Sequence, residues 1–187
     1  DRAPSLTADF IEKLPGIRDM LEDDIQATYN GDPAATSTEE IIFSYPGILA
    51  ITNYRIAHEL WKLEIPLLPR IITEMAHSRT GIDIHPKASI DRSFVIDHGT
   101  GVVIGATSVI GKSVKLYQGV TLGAKSFPLD ENGNPIKGVA RHPVVEDNVV
   151  IYAETTILGR VTVGAGSIIG GIVRWSRYVP QNSKIIQ

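Results

Sequence analysis

An α+β fold is predicted for this chain: a helical N-terminal part over residues 1–80, then a parallel β-helix over residues 81–187. Three observations carry that expectation. Composition changes near residue 80, from 13 acidic and 7 basic side chains before it to 8 acidic and 11 basic after it. Apolar residues recur at helical spacing in the first part and at every sixth position in the second. Glycine outnumbers the aromatics, 17 against 12, which suits a narrow tube filled by Ile, Val and Leu.

In the first part, Ile17, Leu21, Ile25 and Tyr29 follow the Pro15-Gly16 break at helical spacing. Ser37 and Glu40 have the spacing of a capping box and predict a second helix start. Pro46 suits the first turn of a helix carrying Ile48, Ile51 and Tyr54 towards Trp61. Pro66 is expected to open another, with Leu68, Ile71, Ile72 and Met75 on one side. Nothing before residue 80 predicts a strand.

In the second part the aliphatic series runs Ile84, Ile90, Ile96 and, after a two-residue slip, Ile104, Ile110, Leu116 and Leu122. It resumes as Val145, Ile151, Ile157, Val163 and Ile169. Small or β-branched residues follow four positions later, among them Ala88, Thr100, Ser108, Val114, Val120, Thr155, Val161 and Ser167. A period of six fits neither an α-helix nor a hairpin protein. It fits a parallel β-helix, in which each hexapeptide supplies a short strand and a turn, and the aliphatic residue points inward. Residues 124–142 break the period with Pro, Gly, Asn and mixed charges, and predict a loop inserted in the stack that ends on Arg141-His142-Pro143.

Several classes are excluded or disfavoured. The apolar content and a net charge of −3 argue against disorder. No apolar run approaches the roughly 20 residues of a membrane span, and no signal-peptide pattern opens the chain. A chain that opens at Asp1 without methionine is expected to lack residues at one end or both. Zero cysteines remove disulfides, Cys-based zinc sites and a thiol nucleophile. A pI near 6.0 disfavours a dedicated nucleic-acid binder.

The remaining chemistry lies with histidines, carboxylates and hydroxyls. His58, His77 and His85 read as structural or surface residues. His98 differs, because it sits in Asp97-His98-Gly99-Thr100-Gly101, a glycine-bounded break just before the slip. A histidine presented there has the proton affinity of a general base near neutral pH. Asp83 lies 15 residues earlier, close to one coil of about 18 residues, and is expected to orient the imidazole. The close-spaced histidine pair that a catalytic zinc would need is missing, so no metal is expected.

The motifs Gly81-Ile82-Asp83-Ile84-His85-Pro86, Asp97-His98-Gly99-Thr100-Gly101, Gly119-Val120-Thr121-Leu122-Gly123 and Arg141-His142-Pro143 resemble those of the serine acetyltransferases. Gly31-Asp32-Pro33-Ala34 and Tyr54-Arg55-Ile56-Ala57-His58-Glu59-Leu60-Trp61 resemble that family's helical domain. The resemblance covers residues 17–173 in order. It implies acetyl transfer from acetyl-CoA to the hydroxyl of L-serine, giving O-acetylserine for cysteine synthesis, in the cytoplasm. It implies His98 as general base, Asp83 as its support and His142 as a third member of the catalytic set. Asp32 and Asp97 would hold the substrate's ammonium group, and Arg141 with His142 its carboxylate. It further implies a left-handed tube, three parallel chains with active sites between them, and L-cysteine as feedback inhibitor. Acetyl-CoA would lie in a groove between tubes, with Gly123, Ala124, Ala153 and Gly171 as close-approach positions.

Departures from the family pattern qualify these expectations. Leu122-Gly123-Ala124 replaces the usual Leu-Gly-Gly, and the loop after it is longer than in common bacterial members. The helical part is short, so a trimer is expected ahead of a hexamer. The Ile185-Ile186-Gln187 end lacks the terminal isoleucine that, in the family, docks into O-acetylserine sulfhydrylase, so either that partnership is not expected or the tail is missing. Nothing in the sequence accounts for Arg174-Trp175-Ser176-Arg177. Two alternatives stand beside the leading reading: acetylation of another hydroxyl, such as a sugar's, and a catalytically silent assembly subunit.

Overall fold

The computed structural model describes residues 2–186, so Gln187, on which the expectation about the sulfhydrylase turned, lies outside the described residues. The helices are α1 (Ala3–Ile11), α2 (Leu14–Gly31), α3 (Thr38–Ser44), α4 (Pro46–Lys62) and α5 (Leu68–Thr80). Helix α1 was not anticipated, and it buries no residue. Pro15 and Gly16 do not break α2; they occupy its first turn, where a missing N–H costs nothing. Ser37 caps α3 by accepting from the Glu40 N–H at 3.2 Å, while Glu40 reaches back to the Thr36 N–H at 2.8 Å. Helix α5 begins two residues later than Pro66 predicts, with Pro69 in its first turn, and stops at left-handed Gly81. Its buried face is Pro69, Thr73, Ala76 and Thr80, whereas Leu68, Ile71 and Met75 are exposed.

The strands in chain order are β1 (Asp83–Ile84), β2 (Ser89–Ile90), β3 (Val95–Ile96), β4 (Val103–Ile104), β5 (Val109–Ile110), β6 (Lys115–Leu116) and β7 (Thr121–Gly123). After the inserted loop come β8 (Val144–Val145), β9 (Val150–Ile151), β10 (Thr156–Leu158), β11 (Thr162–Val163), β12 (Ile168–Ile169), β13 (Arg174–Trp175) and β14 (Lys184–Ile185). They stack as a left-handed parallel β-helix of triangular section. The first face is β1-β4-β7-β10-β13, the second β2-β5-β8-β11 and the third β3-β6-β9-β12-β14. Every aliphatic residue of the six-residue series is buried, from Ile84 to Ile169. Ile104 pairs with Leu122 at the regular repeat, but Asp83 pairs with Val103, so the first coil is longer by the two slipped residues.

An open coil edge leaves backbone groups without a neighbouring coil, and such groups are costly when buried. Here the helices satisfy them. The Tyr54 hydroxyl donates to the Ala88 carbonyl at 2.6 Å, and His58 Nδ1 donates to the Pro86 carbonyl at 2.8 Å. The Arg55 guanidinium donates to the carbonyls of Ile90 and Asp91 and, through Nε and Nη2, to Asp24 at 3.0 Å. Asp24 in turn accepts from the Phe94 N–H at 2.8 Å. Burial pushes the Asp24 pKa up despite the pull of Arg55, so this pair serves as a fully hydrogen-bonded junction. Removing one partner of such a buried pair typically costs about 3–5 kcal/mol. Ala50, Ile51 and Tyr54 of α4 belong to the same hydrophobic cluster as the coils, so helices and tube share one core.

Candidate active site

The corner where the chain passes from the third face to the first carries Asp97 and His98. The slip falls here, and it lets the turn leave the tube. His98 has a φ of 57°, a left-handed conformation rare for a residue with a Cβ, and its side chain is 72% exposed. The end of α2 and the segment before α4 close over this corner and form a cleft of about 790 Å³ with Asp32, Tyr45, Asp97, His98, Lys115 and Tyr117 in its wall. Asp32 accepts from the Ala34 N–H and from the Tyr45 hydroxyl, both at 2.8 Å. Those two bonds hold its carboxyl below the usual range, and Asp32 pushes the Tyr45 phenol up to about 12, so Tyr45 stays a donor. Lys115 Nζ lies 2.8 Å from Asp97 Oδ2 and 2.9 Å from the Gly31 carbonyl. Tyr117 stacks on Tyr152 with ring centres 4.9 Å apart and stiffens one side of the cleft.

The carboxylate beside His98 is Asp97, with Oδ1 3.7 Å from Nε2. Asp83, expected to orient His98, makes no hydrogen bond or ion pair with it within the chain. The longer first coil sets Asp83 opposite Val103, and its side chain lies with Glu74 and His77 of α5. Those three residues are the one group among the described residues whose ligand atoms, within 4.8 Å of one another, could hold a metal. Glu74 is already engaged by Arg70 and His77.

Arg141 and His142 stand at a different corner, between the first and second faces. The long loop returns there, and Thr107 of the preceding coil receives it. The Thr107 hydroxyl accepts from the N–H groups of Arg141 and His142, at 2.9 and 3.1 Å. It lies 2.8 Å from His142 Nδ1, which also accepts from the Thr107 N–H at 3.1 Å. His142 Nδ1 is therefore an acceptor, and its proton sits on Nε2. Burial, with Arg141 and Arg160 nearby, pulls the His142 pKa down to about 4. Its ring lies against Gly105, where an added Cβ would fall 2.0 Å from Cδ2. His85, in the same corner, is likewise lowered to about 4, mainly by burial, and accepts from the Lys87 N–H at 3.0 Å. The Arg141 guanidinium covers the Phe127 ring of the loop at 5.6 Å, and its Nε is buried without a hydrogen-bond partner.

Apart from Asp83, the expected substrate-binding and catalytic residues fall into two groups on opposite edges of the first face. Asp32, Asp97 and His98 form an acidic corner; Arg141 and His142 form a basic one. The four close-approach positions divide the same way. Ala153 and Gly171 touch each other at the acidic corner, while Gly123 and Ala124 lie at the basic one, where the Gly159 N–H donates to Gly123. Sequence reasoning missed Tyr45, Lys115 and Thr107. Lys115 carried a weak signal: it occupies an outward strand position one coil beyond Val95, next to the Asp97 turn.

No family model matches the chain. It is 62% identical over 185 residues to the plasmid serine acetyltransferase of Synechococcus elongatus, an alignment covering 99% of this chain and 58% of that protein. The chain therefore spans under two thirds of that relative. With the serine acetyltransferase of Bacillus pumilus it shares 41% identity over 167 residues, 89% of this chain and 73% of that protein. The structure of Entamoeba histolytica serine acetyltransferase 1 in complex with L-cysteine superposes with a TM-score of 0.94 at 43% identity, over 99% of this chain and 68% of that one. On identity and coverage together, the chain belongs to the serine acetyltransferase family.

Proposed function

We propose that the protein transfers acetyl from acetyl-CoA to the hydroxyl of L-serine, in a homotrimer that brings the acidic corner of one chain against the basic corner of the next. The observation that carries this reading is the division itself. Two carboxylates suited to an ammonium group stand at one edge of the first face, and an arginine and a histidine suited to a carboxylate stand at the other. Neither edge alone recognises an amino acid.

In the assembled site Asp32 and Asp97 hold the serine ammonium, while Arg141 and the His142 Nε2–H hold its carboxylate. The buried, unpartnered Arg141 Nε is a donor in want of such an acceptor. His98 takes the hydroxyl proton as the oxygen attacks the thioester carbonyl. A C–O bond forms, the tetrahedral adduct collapses with loss of the C–S bond, and the thiolate leaves with the proton returned by His98. Asp83 is assigned the support of the His98 imidazole on the family motif, with the trimer bringing the two together. Gly123, Ala124, Ala153 and Gly171 give acetyl-CoA access to backbone from both sides of the groove. Solved relatives complexed with serine at 28% identity and with CoA at 32% identity support this choice of ligands. L-cysteine, bound in the Entamoeba relative, carries the same ammonium and carboxylate and is assigned as a competing inhibitor. No described helix is long and apolar enough to cross a membrane, and we assign the enzyme to the cytoplasm, where acetyl-CoA is at hand.

Thiol release from acetyl-CoA with serine, homoserine and galactosides as acceptors tests the reading; no turnover with serine by the assembled protein overturns it. Mixing inactive His98→Ala and Arg141→Ala chains tests the divided site. Random reassembly of a cyclic trimer regenerates roughly a quarter of the sites with both edges intact. No recovery of activity would mean that each chain works alone.

A further inference from the structure

We infer that Lys115 is a positioning residue for the acceptor's ammonium group: it ties the carboxylate of Asp97 to the end of helix α2, and so sets both the spacing and the net charge of the Asp32–Asp97 pair. The inference rests on the acetylation of serine proposed above and adds a residue that no motif singled out.

Its geometry is fully committed. One ammonium proton goes to Asp97 Oδ2 at 2.8 Å and another to the Gly31 carbonyl at 2.9 Å, while Nζ lies 4.7 Å from the centre of the Tyr117 ring. The side chain is 15% exposed, so it is held in place rather than waving in solvent. Gly31 is the last residue of α2, where the final carbonyls have no helical partner and concentrate negative charge. A cation anchored there fixes the point from which the next residue, Asp32, departs. Burial works against the charge on Lys115, but the hydrogen bond to Asp97 and the contact with Tyr117 outweigh it and raise its pKa.

Two consequences follow from charge and position. Asp32 and Asp97 together carry two negative charges, and Lys115 cancels one, which leaves the cleft matched to a single ammonium group. With its donors occupied, Lys115 does not itself bind substrate; it acts through Asp97 and the Asp32 turn. The coil carries one carboxylate and the helical part carries the other, and Lys115 is the one side chain among the described residues that bonds both segments inside the cleft.

The test is steady-state kinetics of Lys115→Met, Lys115→Gln and Lys115→Arg with serine and acetyl-CoA varied separately. Loss of a hydrogen bond to a charged group is expected to raise the serine KM about tenfold or more in K115M. The acetyl-CoA KM should stay within about twofold, since Lys115 touches nothing on that path, and K115R should recover most of the serine KM because it keeps the charge. Lys115→Gln keeps a donor without the charge and is expected to fall between; it decides the matter if K115M does not fold. An unchanged serine KM, or an equal rise in both KM values, overturns the role. Absence of serine turnover in the unaltered protein overturns the functional reading instead, and Lys115 falls with it.

Discussion

The acidic and basic corners are made from the same six-residue units, yet they hold their histidines in opposite ways. His98 stands outside the tube on a strained turn with most of its ring in solvent, whereas His142 is 7% exposed and bound through Nδ1 to Thr107. A ring open to solvent and to an incoming hydroxyl suits a base. A ring held neutral, with Nδ1 engaged as an acceptor and its proton on Nε2, suits a fixed donor. The difference teaches that a β-helix corner exposes a side chain where its repeat is broken and holds one rigidly where a long loop is pinned back onto it.

Four experiments break or sharpen that contrast. The largest effect is expected from His98→Ala, which should lower kcat by about 100-fold or more while leaving the melting temperature almost unchanged. A near-normal rate would move the base elsewhere. Gly105→Ala should do the reverse: its methyl overlaps the His142 ring, and overpacking of this kind costs about 1–3 kcal/mol. Thermal denaturation should show that loss, with the serine KM rising as the ring is displaced.

Acid should separate the corners next. His142 and His85 have folded-state pKa values near 4 against an ordinary 6.5, so between those limits the unfolded chain binds protons that the folded chain does not. Their contribution to stability is complete above pH 6.5 and is lost as pH falls towards 4. Melting temperatures across that window should decline on acidification, and His142→Gln should flatten the decline; an equal slope in the variant would remove His142 as a cause. The smallest effect is expected from Thr107→Val, which keeps the shape and removes the hydroxyl that seats both the loop end and the His142 ring, at about 1 kcal/mol.

The tube was legible because burial in a coil depends on one position in six, and a single chain of Ile84, Ile90, Ile96 and their successors displays it. His98 was legible for the converse reason, as a polar interruption of that period. Asp24 and Arg55 were not legible. A helix stripe is read from apolar residues, and α2 buries Asp24 because Arg55 of α4 and the Phe94 N–H of the first coil bond it, with Thr28 bonding back to the Asp24 carbonyl. The exposed side of α5 misled for the same reason: apolar spacing predicts a face but not which neighbour arrives. Lys115 escaped because its role depends on the helical part folding over a coil 84 residues away in sequence, and Tyr45 because it bonds back across α3 to Asp32, 13 residues away. Asp83 is expected beside His98 on a coil of about 18 residues; within one chain the two-residue slip sets it opposite Val103.

The hydrogen bonds that Tyr54, Arg55 and His58 send to the first coil bear on more than the active site. A stack of parallel coils is a template for its own extension, and its first edge offers carbonyls to any strand that approaches. Helix α4 occupies those acceptors with side chains, which cannot be continued by another coil. The helices therefore act as a terminator of fibre growth, and a tube cut free of them would be expected to polymerise end to end before it lost its shape.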